Sequence, residues 1–166
     1  MLRASNILYL KMGKIIIVGK GGSGKDYIRK KFQDKGFKFA IPYTSRPIRN
    51  NEKNGVDYYY VTREYFSNNS SEFYEIHEFN GWLYGHKIKD FENGELFIMT
   101  PKGIKKLKED DRKKSVIIYL DLDRNILQER LNIRGDADSV KRRLDSDDLD
   151  FSEFHDFDIR ITDPFF

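Results

Sequence analysis

Apolar and polar positions follow two different rhythms along this chain. "KIIIVG", residues 14–19, is a short unbroken apolar run, the pattern of a parallel strand buried on both faces. It ends in glycines and passes into "KDYIRKKFQDKG", residues 25–36, where Tyr27, Ile28 and Phe32 supply an apolar helix face and Gly36 a stop. "ELFIMT" (95–100) and "SVIIYLDL" (115–122) repeat the buried-strand pattern. A helix opened by Pro101 is expected over 101–114 between them, and "FDIRIT" (157–162) gives a last strand. This alternation predicts an α/β fold, a parallel sheet flanked by helices.

The segment 43–93 has a different character. "DYYYVT" (57–62) and "FYEIHEF" (73–79) favour strands through aromatic and branched residues, and Asn80-Gly81 after the second is a hairpin signal. "SNNSS" (67–71) reads as a loop. A small β-rich insertion at 43–93 therefore interrupts a core built from 14–42 and 94–166. Residues 1–12 read as a leader, with Met12 a candidate start.

Composition narrows the class. A length of 166 residues suits one domain, and 13 Phe with 10 Tyr supply core material despite a mean hydropathy of −0.70. No apolar run approaches the ~20 residues of a membrane span, and the opening "MLRASNILYLKMG" is too short in apolar content for a secretory signal. The absence of cysteine excludes disulfides, thiolate metal sites and a cysteine nucleophile. A cytoplasmic protein is expected, monomer or homodimer. A net charge of +3 with Lys and Glu interleaved argues against a nucleic-acid binder.

The chemistry concentrates first in "GKGGSGKD", residues 19–26. Gly19, Gly24 and Lys25 fit the phosphate-loop pattern G-x-x-x-x-G-K-[ST] at every position but the last. Gly19, Gly21, Gly22 and Gly24, with Ser23 among them, let the backbone turn its N–H groups inward, and the following helix points its positive end at an anion. Lys25 would then reach the outer phosphates of ATP. Asp26 stands where a Mg²⁺-binding hydroxyl is expected. It either holds Mg²⁺, directly or through water, or is a favourable acid in a helix first turn.

A second signature follows in "YTSRPIRNNEKNGVDYYYVTREYF" (43–66) and "FYEIHEFNGWLYG" (73–85). Together with the loop these resemble guanylate kinase, from Lys14 to about Thr162. The resemblance implies a P-loop core with a small nucleoside-monophosphate-binding domain and a helical lid. It implies that Arg46, Arg49, Tyr58 and Tyr84 hold the acceptor monophosphate, which two arginine forks and phenolic donors suit. It makes Glu75 the acceptor for the N1–H and amino donors of guanine. His86 and Pro42 stand where the family has base-site serines, and Thr100 where it has a guanine-contacting aspartate. The family's metal-side acid is missing from "FIMTPKG", and Asp26 is expected to replace it.

"LDLDRNILQERLNIRGDADSVKRRL" (120–144) resembles the family's lid, with Arg130, Arg134 and Arg143 closing over ATP and steadying the moving phosphoryl group. A solvated helix face is the plainer reading of these charges. Asp121 and Asp123 end an apolar strand as a metal-side acid would, but capping of the following helix, which Asp123 precedes, is the expected role. His77 and His155 lack ligand spacing and read as structural, and Trp82 as packing. The chain ends at "ITDPFF", where relatives continue, so an incomplete adenine pocket is expected.

The function implied is ATP-dependent phosphorylation of GMP or dGMP, with Mg²⁺, Lys25, Arg46, Arg134 and Arg143 carrying the transfer. Two alternatives remain open. One is a kinase for another nucleotide or a ribose bisphosphate. The other is a guanylate-kinase-like binding module without catalysis, against which the intact loop counts.

Overall fold

The four residues Ile15, Ile16, Ile17 and Val18 have no exposed surface, because the strand they form, β1 (Lys14–Gly19), is covered on both faces. Its pleat sends Ile16 and Val18 to one core with Phe97, Ile117 and Phe151. Ile15 and Ile17 face the other, with Leu96, Ile118 and Phe32. This double burial is the physical reason for the unbroken apolar run. The computed structural model describes residues 13–135 and 139–166; the leader expected at 1–12 and part of the lid segment lie outside them.

β1 pairs in parallel with β6 (Leu96–Ile98) and β7 (Ser115–Leu120), and β7 with β8 (Ile159–Ile161), giving the order β6-β1-β7-β8. The α/β expectation holds. Helix α1 (Lys25–Asp34) follows β1 through the glycine loop and ends where Gly36, at φ 93°, enters the left-handed region. Ile28 and Phe32 pack on the sheet as expected, but Tyr27 is 51% exposed, with its ring 6.3 Å from that of Phe166.

The buried residue of α1 is an arginine. Arg29 is 2% exposed and donates from Nη2 to Asp57 Oδ1 at 2.6 Å, with its guanidinium 4.8 Å over the Phe39 ring. It thereby ties α1 to the insertion. Truncation leaves Asp57 without its cation, so Arg29→Ala is expected to lower stability by about 3 kcal/mol in urea unfolding. A loss below about 1 kcal/mol would place the pair among ordinary surface bridges.

A second sheet has the order β3-β2-β5-β4, from β2 (Tyr43–Thr44), β3 (Tyr59–Tyr60), β4 (Phe73–Phe79) and β5 (Trp82–Lys87). β4 and β5 form the expected hairpin, with Asn80 at φ 51° and Gly81 at φ 80° as its two turn residues. The strand expected at 57–62 shrinks to Tyr59–Tyr60, parallel to β2. The segment around 67–71 is not all loop. Helix α2 (Arg63–Asn68) runs into it, opened by Thr62, whose hydroxyl accepts from the Tyr65 N–H at 3.1 Å, and a 3₁₀ turn spans Ser70–Glu72. Trp82 is 37% exposed at the hairpin tip rather than packed.

Helix α3 (Ile88–Asn93) leads back to the first sheet. The single helix expected over 101–114 is two, α4 (Pro101–Ile104) and α5 (Glu109–Lys113). Their division has a distant cause: the Tyr74 hydroxyl on β4 accepts from the Lys108 N–H at 2.9 Å and so starts α5 afresh. After β7, Asp123 caps α6 (Arg124–Arg134) as expected, accepting from the Asn125 N–H at 2.8 Å, and α7 (Val140–Phe151) packs against α6. Asp121 pairs with Arg160 at 2.6 Å. No helix among the described residues is long and apolar enough to cross a membrane.

Candidate active site

The phosphate loop is shaped by contacts only glycine permits. A Cβ on Gly19 would lie 2.4 Å from Ser23 Oγ and 3.0 Å from the Leu120 carbonyl, while Gly22 and Gly24 take φ of 81° and 97°. Lys25 folds back over the loop, Nζ donating to the Gly19 carbonyl at 2.7 Å and the Lys20 carbonyl at 2.9 Å. Enclosure by the walls lowers its pKa to about 8, against the pull of Asp147 and Asp26. Part of its surface faces the cavity, so water there moderates the effect.

This loop opens on a cavity of about 320 Å³ whose other walls come from the second sheet and the lid helices. Gly19, Gly21, Gly22, Gly24, Lys25, Asp26, Arg130, Arg134 and Arg143 line it from one side. Arg46, Arg49, Tyr58, Tyr84, His86 and Thr100 line it from the other. Two expected site residues do not. Ser23 is fully buried with Oγ unpartnered, packed under Gly19, and Glu75 lies behind the wall. Arg130 spends two donors on backbone, on the carbonyls of Gly22 at 3.2 Å and Pro164 at 2.9 Å. Arg143 lies over the loop, near enough that a Gly21 Cβ would meet its Nε at 2.7 Å.

On the acceptor side a carboxylate missed in the sequence organises the arginines. Glu52 takes a forked pair from Arg46, Nη1 at 3.0 Å and Nη2 at 2.8 Å, together with the Arg49 N–H at 2.9 Å and the Tyr60 hydroxyl at 2.7 Å. Burial pushes its carboxyl up, but these hydrogen bonds outweigh that and hold it below the usual range. The Arg46 guanidinium also lies 5.3 Å over the Tyr58 ring. Burial, with Tyr84 and Asp26 nearby, pushes the Tyr58 phenol up, so it remains a hydrogen-bond donor.

Glu75 belongs to a network that the sequence did not announce. Its carboxylate faces Nδ1 of His77 and Nδ1 of His86, each at 2.7 Å, and His77 Nε2 meets Thr100 Oγ1 at 2.7 Å. Burial raises the Glu75 pKa, yet the two imidazole hydrogen bonds win and hold it low. His77, read as structural, therefore lines the site. A period-two count gives the signal, since Glu75 and His77 share a strand face.

Asp147 on α7 is the third residue missed. It is 1% exposed, accepts from the Gly21 N–H at 2.8 Å through Oδ2, and leaves Oδ1 buried without a partner. Burial raises its pKa, against the Gly21 hydrogen bond and Lys25. Among the described residues no group of three or more His, Asp or Glu could hold a metal alone. Mg²⁺ in phosphoryl-transfer sites needs only one or two carboxylates, completed by phosphate oxygens and water. Asp26, 3.2 Å from Arg29 Nε, and the orphan oxygen of Asp147 are hard donors of the kind it takes.

The family model for guanylate kinase matches residues 11–164. Guanylate kinase of Sus scrofa is 28% identical over 143 residues, 78% of this chain and 72% of that protein. That of Syntrophus aciditrophicus is 30% identical over 158 residues, 89% of this chain and 76% of that protein. The crystal structure of guanylate kinase from Anaplasma phagocytophilum superposes with a TM-score of 0.71 at 24% identity, covering 92% of this chain and 77% of that one. The chain belongs to the guanylate kinase family.

Proposed function

We propose that the protein transfers the γ-phosphoryl group of ATP to a purine nucleoside monophosphate, GMP or dGMP. The observation that carries this is a single cavity with a phosphate loop and Lys25 on one side and a two-arginine, two-tyrosine cluster on the other. Such an arrangement suits in-line transfer, where the acceptor phosphate is itself the nucleophile and the protein supplies position and countercharge.

Each group then has a task. The loop N–H groups and Lys25 hold the donor phosphates. Arg46, Arg49, Tyr58 and Tyr84 hold the acceptor phosphate, with Glu52 orienting both arginines. Arg134 and Arg143, on the lid helices, offset charge on the group in transit. Asp26 and Asp147 would hold Mg²⁺, which when bound neutralises the donor phosphates.

The test is ADP release from ATP and Mg²⁺ against GMP, dGMP, AMP, CMP, UMP and dTMP. Turnover confined to GMP and dGMP is expected. Silence across the panel from folded protein would instead support a binding module.

A further inference from the structure

We infer that Arg29 couples the donor and acceptor halves of the site, dividing one guanidinium between Asp26 at the phosphate loop and Asp57, the neighbour of Tyr58; this rests on the donor and acceptor assignments given above. Arg29 is a positioning residue that acts through those two carboxylates.

The two carboxylates hold it unequally. Asp26 and Arg29 lie three residues apart on α1 and so share a helix face, with Asp26 Oδ1 3.2 Å from Nε. That contact is within ion-pair reach but makes no aligned hydrogen bond, and Nε is left buried without a hydrogen-bond partner. From the same guanidinium, Nη2 donates to Asp57 Oδ1 at 2.6 Å. The Asp57 side chain is 18% exposed and that of Asp26 71%. Asp57 is therefore the fixed partner and Asp26 the loose one.

Asp57 carries the fixed end into the acceptor site. Its Oδ2 accepts from the Lys53 N–H at 2.9 Å and its own N–H donates to the Lys53 carbonyl at 3.1 Å, which closes the turn 53–57. Arg29 Nη1 adds a longer bond to the Val56 carbonyl of that turn, at 3.4 Å. The next residue is Tyr58, whose ring lies under the Arg46 guanidinium at 5.3 Å and 6.1 Å from the Tyr84 ring. Asp26 lines the same cavity as these three. Arg29 thus joins a loop carboxylate on one side of the cavity to the turn that sets a phosphate-binding tyrosine on the other.

One positive charge faces two negative ones, so each carboxylate draws on Arg29 at the other's expense. When Asp26 turns to the Mg²⁺ of a bound donor it breaks no aligned hydrogen bond, and an exposed pair of this kind contributes little. Arg29 is then left to Asp57 alone. The turn 53–57 tightens, and Tyr58 with it, in favour of the acceptor phosphate. Linkage makes the effect mutual, since whatever factor the donor adds to acceptor affinity the acceptor adds to donor affinity.

Calorimetry on the full chain measures this without turnover, by titrating GMP into protein alone and into protein saturated with a non-hydrolysable ATP analogue, with Mg²⁺ or with EDTA. Analogue and Mg²⁺ together should tighten GMP binding about fivefold or more, the reverse titration should give the same factor, and EDTA should remove it. Arg29→Lys keeps the charge but loses the planar set of donors that spans both carboxylates, so the factor should fall to within twofold of one. An Arg29 that merely held the fold together would change stability and leave the factor as it was. The Arg29 Nε–H resonance gives a second reading in the unaltered protein, assigned by its absence from Arg29→Lys or from Arg29→Met: it should shift when analogue and Mg²⁺ bind, and not in Asp26→Asn, whose exposed side chain is dispensable for folding. A parent factor within twofold of one, a factor that survives in Arg29→Lys or in EDTA, or an Nε–H unmoved by the donor would overturn the inference and leave the transfer reading intact. Failure of both GMP and the analogue to bind would overturn both.

Discussion

Lys25→Ala is expected to lower kcat/KM for phosphoryl transfer by about a thousandfold, roughly 4 kcal/mol, in a protein that still folds. Nζ spans two loop carbonyls, at 2.7 and 2.9 Å, so it stands at the centre of the anion cradle. Its loss removes the one loop side chain that carries positive charge to the outer phosphates. Folding should survive because an enclosed ammonium is itself unfavourable, as its pKa of about 8 records. Between pH 8 and the ordinary value of 10.5 the folded chain binds fewer protons than the unfolded one, so stability rises with pH across that window. Anionic phosphates favour the charged form, so ATP binding should take up a proton above pH 8 and weaken as pH rises. Calorimetry in buffers of different ionisation enthalpy measures that uptake, and Lys25→Ala should abolish it. Activity within tenfold of the parent would remove Lys25 from the mechanism.

Arg46→Ala is expected to raise the acceptor KM by about a hundredfold or more while ATP affinity stays within a few-fold. Two effects add. The acceptor phosphate loses its buried cation, and Glu52, whose carboxylate Arg46 grips at 2.8 and 3.0 Å, becomes a net repulsive charge in the same cavity. Arg46→Lys should recover little, since an ammonium cannot present a fork to Glu52 and further donors to a phosphate at once. Glu52→Gln with Arg46→Ala should recover part of the loss by removing the repulsion. Initial rates over a matrix of ATP and acceptor concentrations separate the two affinities. An equal fall in both would contradict an acceptor role.

What was legible in the sequence was local. The β1 run, the loop glycines, the Gly36 stop and the Asn80-Gly81 turn each declare themselves within a few residues, because backbone geometry there depends on neighbours. The hairpin register was legible too: a two-residue turn that pairs Phe79 with Trp82 sets Glu75 opposite His86. Reading it would have exposed the imidazole network. Other features depend on partners far along the chain. Asp147 meets Gly21 across 126 positions, and the split between α4 and α5 depends on a hydroxyl from β4. Helical periodicity carries no trace of either. Arg29 is another such case, an arginine at a core position because Asp57 and Phe39 enclose it.

Glu52 also has an entropic meaning. Long guanidinium side chains lose about 2 kcal/mol of rotamer freedom when fixed in one geometry. Arg46 is already fixed by a carboxylate that is part of the chain, and the Arg49 N–H is held by the same group. That loss of freedom is incurred once, when the protein folds, and not again each time an acceptor arrives. Arg46 meets every acceptor in one conformation, so each turnover begins from an ordered guanidinium rather than from a search among rotamers.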